Sequence, residues 1–133
     1  MATISCTQLE NYQVQVRTSA HSWIADEPPR NKGDGLGPSP FDLLLGALGS
    51  CILVTMRFYA AREDIPLETA WVDLEDNWTQ EDGKRQYQIR VAVRVRGELT
   101  DDHVEDLKRV AGKCPVHKVL APGIDIETEL TAV

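Results

Sequence analysis

At 133 residues, with 42% hydrophobic content and a formal net charge of −7, the chain is sized and composed as one soluble domain with a real core. The acidic balance argues against nucleic acid and anionic membrane as partners, since both reward net positive charge. The start, Met1-Ala2-Thr3-Ile4-Ser5, lacks a basic and apolar signal segment, and the apolar run between Asp42 and Arg57 is shorter than the ~20 residues that span a bilayer. Three cysteines in such a chain point to the cytoplasm, where paired thiols are more often catalytic or metal-binding than structural.

Residues 2–9 and 12–18 read as strands, because Tyr12, Val14 and Val16 alternate with Gln13, Gln15 and Arg17. The short Glu10-Asn11 connection predicts a hairpin. A third strand is expected over His21 to Asp26. Pro28 and Pro29 stop it, and Arg30 to Gly37 is a polar, glycine-containing loop.

A long helix follows. Ser39 is the expected N-cap, Pro40 the first helical residue, and Asp42 the acid three positions after the cap. The run Leu43 to Ala61 is apolar on nearly every face, which predicts burial all round. Gly46 and Gly49 cost helix propensity and are expected where another backbone comes close. Charge returns at Arg57, Arg62, Glu63 and Asp64, and Pro66 ends the helix.

Trp71 to Trp78 and Gln86 to Arg96 are alternating strands joined through Asp82-Gly83, a favoured two-residue turn. That turn sets Leu74 opposite Val91 and Val72 opposite Val93 on one face. Glu75 then opposes Arg90, and Trp71 opposes Arg94, on the other. Thr100 caps a second helix, with Asp101 and Asp102 in its first turn. Val104, Leu107, Ala111 and Cys114 share one face of it. Pro115 breaks this helix and opens a short one through Leu120, and Ile124 to Thr131 alternates as a closing strand.

The chemistry rests on two thiols. Cys51 in its apolar helix reads either as a small core residue or as a nucleophile that needs a cation from elsewhere in the fold. Cys114 precedes a helix start and is flanked by Lys113, His117 and Lys118, all of which favour a thiolate. It reads equally as a packing residue before a proline kink. His117 lies three residues from Cys114, but two ligands without a CxxC or HxxxH pair make no metal site, so no metal or other cofactor is expected. Cys6 reads as structural or incidental. Gly33-Asp34-Gly35-Leu36-Gly37 lacks the lysine and serine of a phosphate-binding loop, and Pro38 interrupts it.

The pattern Gly37-Pro38-Ser39-Pro40, a Leu-rich helix, Gly49-Ser50-Cys51, Tyr59-Ala60-Ala61-Arg62, Pro66-Leu67-Glu68 and then Cys114-Pro115-Val116-His117-Lys118 resembles the OsmC/Ohr family of osmotically inducible and organic-hydroperoxide-resistance proteins, in its broad OsmC-like branch. The resemblance runs from the third strand to the end. It implies a single OsmC-like domain over residues 1–133 with an α+β fold. Strands pack around a long central helix, and two chains intertwine as a homodimer. It also implies a thiol peroxidase. Cys51 would attack an organic hydroperoxide, and Cys114 would resolve the sulfenic acid as a disulfide, which a thiol or lipoyl-type dithiol would reduce.

Two positions depart from the peroxidase pattern. The peroxidases carry a glutamate directly after the proline; here Phe41 stands there, and the carboxylate is Asp42. They also carry an activating arginine near the first hairpin turn, which here is Leu9-Glu10-Asn11; Arg17 or Arg30, across a dimer, are the candidate substitutes. Local chemistry thus favours Cys114 as the thiolate, while the resemblance favours Cys51. The rival expectation is a non-enzymatic protein of the same fold that holds an apolar molecule in its dimer pocket.

Overall fold

A computed structural model describes residues 2–133. The chain forms two compact units, one ending at Gly46 and one beginning at Ala47. The elements are mixed α and β, with one long helix and two antiparallel sheets.

The first unit carries β1 (Ser5–Gln8), β2 (Val14–Arg17) and β3 (Ser22–Ala25) in a three-stranded sheet of that order. Cys6 pairs with Val16, and Val16 with Trp23. The β1–β2 hairpin closes through the Gln13 N–H, which donates to the Glu10 carbonyl at 2.9 Å. Asn11 takes the positive φ of 51° that the turn requires, a conformation asparagine tolerates. After β3 the chain is organised by Asp26, which sequence reading treated only as a strand end. The residue is 1% exposed, and its carboxylate accepts the N–H of Glu27 (2.7 Å) and of Leu36 (3.1 Å). Its own N–H donates to the Pro38 carbonyl at 3.1 Å. One buried carboxylate therefore ties both ends of the loop that leads into the long helix.

That helix, α1, runs Pro40–Arg62 and starts as expected. The Ser39 N–H donates to Asp42 Oδ2 (2.9 Å), and the Asp42 N–H donates to Ser39 Oγ (3.2 Å), a reciprocal capping box. At 23 residues, with a mean hydropathy of 1.7 over an 18-residue window, α1 is long and apolar enough to cross a membrane by those measures alone. The sequence argument from a short apolar run does not hold. The expectation of burial on every face is also overturned. Leu48, Ile52, Met56 and Ala60 form one buried stripe, whereas Val54 is 53% and Phe58 74% exposed. The second unit covers only the stripe.

In the second unit β4 (Leu67–Glu81) and β5 (Lys84–Gly97) form the long hairpin in the expected register. Leu74 pairs with Val91, Val72 with Val93, Glu75 with Arg90 and Trp71 with Arg94. Asp82 and Gly83 both take positive φ, 51° and 76°, as a turn of this hand demands. The close approach expected at Gly49 exists, but it is made by side chains. An added Cβ would lie 2.8 Å from Leu74 Cδ1 and 3.3 Å from Val72 Cγ1. A Cβ at Gly46 would meet nothing within 4 Å, so no packing requirement explains that glycine.

Helix α2 (Asp101–Ala111) is capped by Thr100, whose Oγ1 accepts the His103 N–H at 3.2 Å. Leu107 and Val110 enter the core with the α1 stripe, Leu67 and Cys114. Burying a side chain such as Ile52 or Leu107 contributes about 1.5–3 kcal/mol. Helix α3 (Pro115–Leu120) is the last regular element. The expected strand over Ile124 to Thr131 is not formed. A strand needs a neighbour for its hydrogen-bond ladder, and no described strand pairs with this segment, whose Leu130 is 89% exposed.

Candidate functional site

The two thiols that sequence reading singled out come together in the second unit. Cys51 sits on α1 directly before the buried Ile52 and is half-buried against the core. Cys114 lies in the sharp connection between α2 and α3. Gly112 follows the end of α2, and Pro115 opens α3, so Cys114 becomes the N-cap of the shorter helix. Its Sγ accepts the backbone N–H of His117 at 3.3 Å, and no part of the residue is exposed. Cys51 packs against the core cluster that contains Cys114, close enough for the two thiols to influence each other, and neither forms a disulfide. Cys6 is a free, exposed thiol on β1.

Burial pushes the Cys114 thiol up from its ordinary value. The His117 and Val116 N–H groups oppose this by donating to the sulfur. The neighbouring Cys51 thiol adds to the upward shift. The expectation that Cys114 is a ready thiolate is therefore corrected. Its capping position is real, but α3 is six residues long, and Lys113 and Lys118 are exposed while the sulfur is not. Removal from water outweighs the helix end.

The other candidate residues belong to the first unit or to the wall of a cavity. The Asp42 carboxyl is held below the usual carboxylate range by the Ser39 backbone N–H and by the Ser39 side chain, with the charge of Arg30 adding in the same direction. Asp42 thus performs the capping role read from sequence. Arg17 is exposed at the end of β2, opposite Ser5 and Ser22. His117 contributes its N–H to Cys114, and its residue lines an apolar cavity of about 420 Å³.

That cavity was not foreseen. Ile52 and Met56 of α1, Val93 of β5 and Leu107 of α2 wall it, with Lys108 and His117 as its polar residues. Its one sequence signal was the Val104, Leu107, Ala111 stripe, which reads as ordinary core. Neither cysteine is part of its wall.

Residues 33–129 match a family model described as OsmC-like protein. Among solved structures, the chain is similar to a protein of Psychrobacter arcticus 273-4, provisionally assigned to osmotic stress induction and detoxification response. The two share 25% identity, with 93% of this chain and 91% of that one covered and a TM-score of 0.77. An OsmC-like protein from Mycoplasma pneumoniae is 17% identical over 89% of this chain and 85% of that one, with a TM-score of 0.75. An organic hydroperoxide resistance protein OsmC from Legionella pneumophila is 18% identical over 94% and 92%, with a TM-score of 0.71. No curated protein matches.

Proposed function

This chain belongs to the OsmC-like family, and on that premise we propose that it is a cytoplasmic, thiol-dependent hydroperoxide reductase whose working pair is Cys51 and Cys114. The similarity to proteins named for detoxification response and organic hydroperoxide resistance supports a redox role in stress. The observation that carries the residue assignment is the side-chain contact between the two free thiols.

The difference in burial between the two thiols supports an order of events. Burial and the neighbouring sulfur both keep the proton on Cys114. Cys51 is the less buried partner, so it is the nucleophile that a substrate reaches first. The Cys51 thiolate attacks the distal oxygen of the hydroperoxide. The O–O bond breaks, the alcohol leaves with a proton, and Cys51 becomes a sulfenic acid. The Cys114 sulfur then attacks Cys51, water leaves, and a disulfide forms. An external thiol or lipoyl-type dithiol restores both thiols through a mixed disulfide and is itself oxidised. Proximity makes the resolving step intramolecular, where effective concentrations far exceed those of free thiols.

The reading includes a homodimer. Val54 and Phe58 on α1 and the alternating apolar tail around Leu130 are exposed in the single chain, and a second copy would cover them. Consumption of cumene hydroperoxide with a dithiol reductant tests the assignment. Wild type should turn over, Cys51→Ser should be inactive, and Cys114→Ser should react once and stall. Absence of turnover in wild type across several reductants contradicts it.

The apolar cavity favours a second reading, a carrier of an apolar molecule, because its wall excludes both sulfurs. A ligand bound equally by wild type and by Cys51→Ser, without peroxide consumption, would select it.

A further inference from the structure

Four of the 14 lysines and arginines in this acidic chain converge on one cleft of about 580 Å³. Arg62 comes from the last turn of α1, Arg109 from the last turn of α2, Lys113 from the α2–α3 connection and Lys118 from α3. Their centre is Tyr59. The Arg62 guanidinium lies 5.2 Å from its ring centroid and that of Arg109 lies 5.7 Å away, so both cations are held over one aromatic ring. Arg109 Nη2 also donates to Tyr59 Oη at 3.1 Å.

The charge does not cancel locally. Arg62 pairs with Glu63 (3.0 Å) and Arg109 with Asp106 (3.2 Å). These two arginines also offset the carbonyl ends of α1 and α2. Lys113 and Lys118 form no ion pair among the described residues, and they leave a surplus of two positive charges. Phe58, Tyr59 and Val110 supply an apolar wall beside that charge, and Phe58, which the dimer reading covers with a second copy, sets the cleft at the edge of that interface. Neither cysteine lines the cleft, but neighbours of both do. Thr55, one helical turn from Cys51 on the same side of α1, lines it, and Lys113 directly precedes Cys114.

We propose that this cleft binds the carboxylate of an organic anion with an apolar body, and that this anion is a reactant of the neighbouring dithiol, either the hydroperoxide or the thiol that reduces the disulfide. The link to the dithiol rests on the peroxidase reading; the binding itself does not. Guanidinium and ammonium donors around an aromatic wall suit a carboxylate attached to an apolar group. The apolar cavity beyond Ile52 carries one lysine, Lys108, where the cleft carries four lysines and arginines, so the cleft is the more strongly cationic of the two.

The test uses 4-phenylbutyrate and its neutral counterpart 4-phenylbutanol, titrated calorimetrically into the full chain at low ionic strength. The acid should bind at least about tenfold more tightly than the alcohol, the weight of a lost charge-assisted hydrogen bond. The double variant Lys113→Gln/Lys118→Gln should lose that advantage, and Lys84→Gln, at the β4–β5 turn, should keep it. Equal binding of acid and alcohol, no binding of either, or an unchanged double variant overturns the anion site. Calorimetry needs no turnover, so these outcomes are independent of whether the protein reduces peroxides. In turnover, inhibition by 4-phenylbutyrate that competes with the hydroperoxide assigns the carboxylate to the substrate, and competition with the thiol assigns it to the reductant. Competition with neither overturns the link to the dithiol.

Discussion

Cys114 meets Cys51 from the N-cap of a six-residue helix, so two thiols 63 residues apart in sequence lie beside each other in one core. Helix α2 ends at Ala111, and Cys114 caps the short helix that Pro115 opens.

The Cys114 proton links that contact to stability. Its folded pKa is raised, chiefly by burial, so its contribution is fully present below the unfolded thiol value of about 8.5 and is lost as pH rises through the folded value. The melting temperature of reduced wild type should therefore fall on going above pH ~8.5 more steeply than that of Cys114→Ser. Parallel profiles would contradict the shift.

The capping box at the head of α1 makes the opposite prediction in acid. Asp42 has a depressed folded pKa, so its contribution is present above the unfolded value of about 3.9 and lost as pH falls through the folded one. Urea unfolding should show Ser39→Ala destabilised by about 1 kcal/mol at neutral pH. Asp42→Asn should be destabilised at pH 7 and lose part of the acid dependence of wild type.

The two glycines of α1 should respond in opposite directions. Gly46→Ala adds a methyl that meets nothing, and it should stabilise by about 0.5–1 kcal/mol through helix propensity. Gly49→Ala drives its Cβ against Leu74 and Val72, and overpacking of about 1–3 kcal/mol should exceed the propensity gain. Chemical denaturation of both variants separates packing from propensity.

Coverage of the exposed α1 face by a second copy is testable at Val54. Light scattering after size exclusion should give a dimer for wild type and a monomer for Val54→Asp, with unchanged far-ultraviolet circular dichroism. A monomeric wild type would contradict the dimer.

Much of this was legible in the sequence, for local reasons. Ser39-Pro40-Phe41-Asp42 specifies a helix start through side-chain caps and a proline at the first position, all local in sequence, and Asp82-Gly83 sets the hairpin register. Cys114 could be placed at a helix start because Pro115 follows it. What failed depended on distant surroundings. The expected thiolate at Cys114 was argued from its neighbours in sequence, but the shift is set by burial under other elements. The apolar alternation of Ile124 to Thr131 carries strand propensity without naming a partner for the ladder. The convergence of Arg62, Arg109, Lys113 and Lys118 joins three helices whose charges look like ordinary solvated ends in sequence.

The central claim is that Cys51 takes oxygen from a hydroperoxide and Cys114 resolves it. Its most direct measurement is peptide mass mapping of reduced protein treated with one equivalent of cumene hydroperoxide and quenched by alkylation. Wild type should yield a crosslink between the Cys51 and Cys114 peptides with the loss of two hydrogens, and Cys114→Ser should instead gain one oxygen on Cys51. Both thiols recovered fully alkylated, with the peroxide unconsumed, would contradict the account.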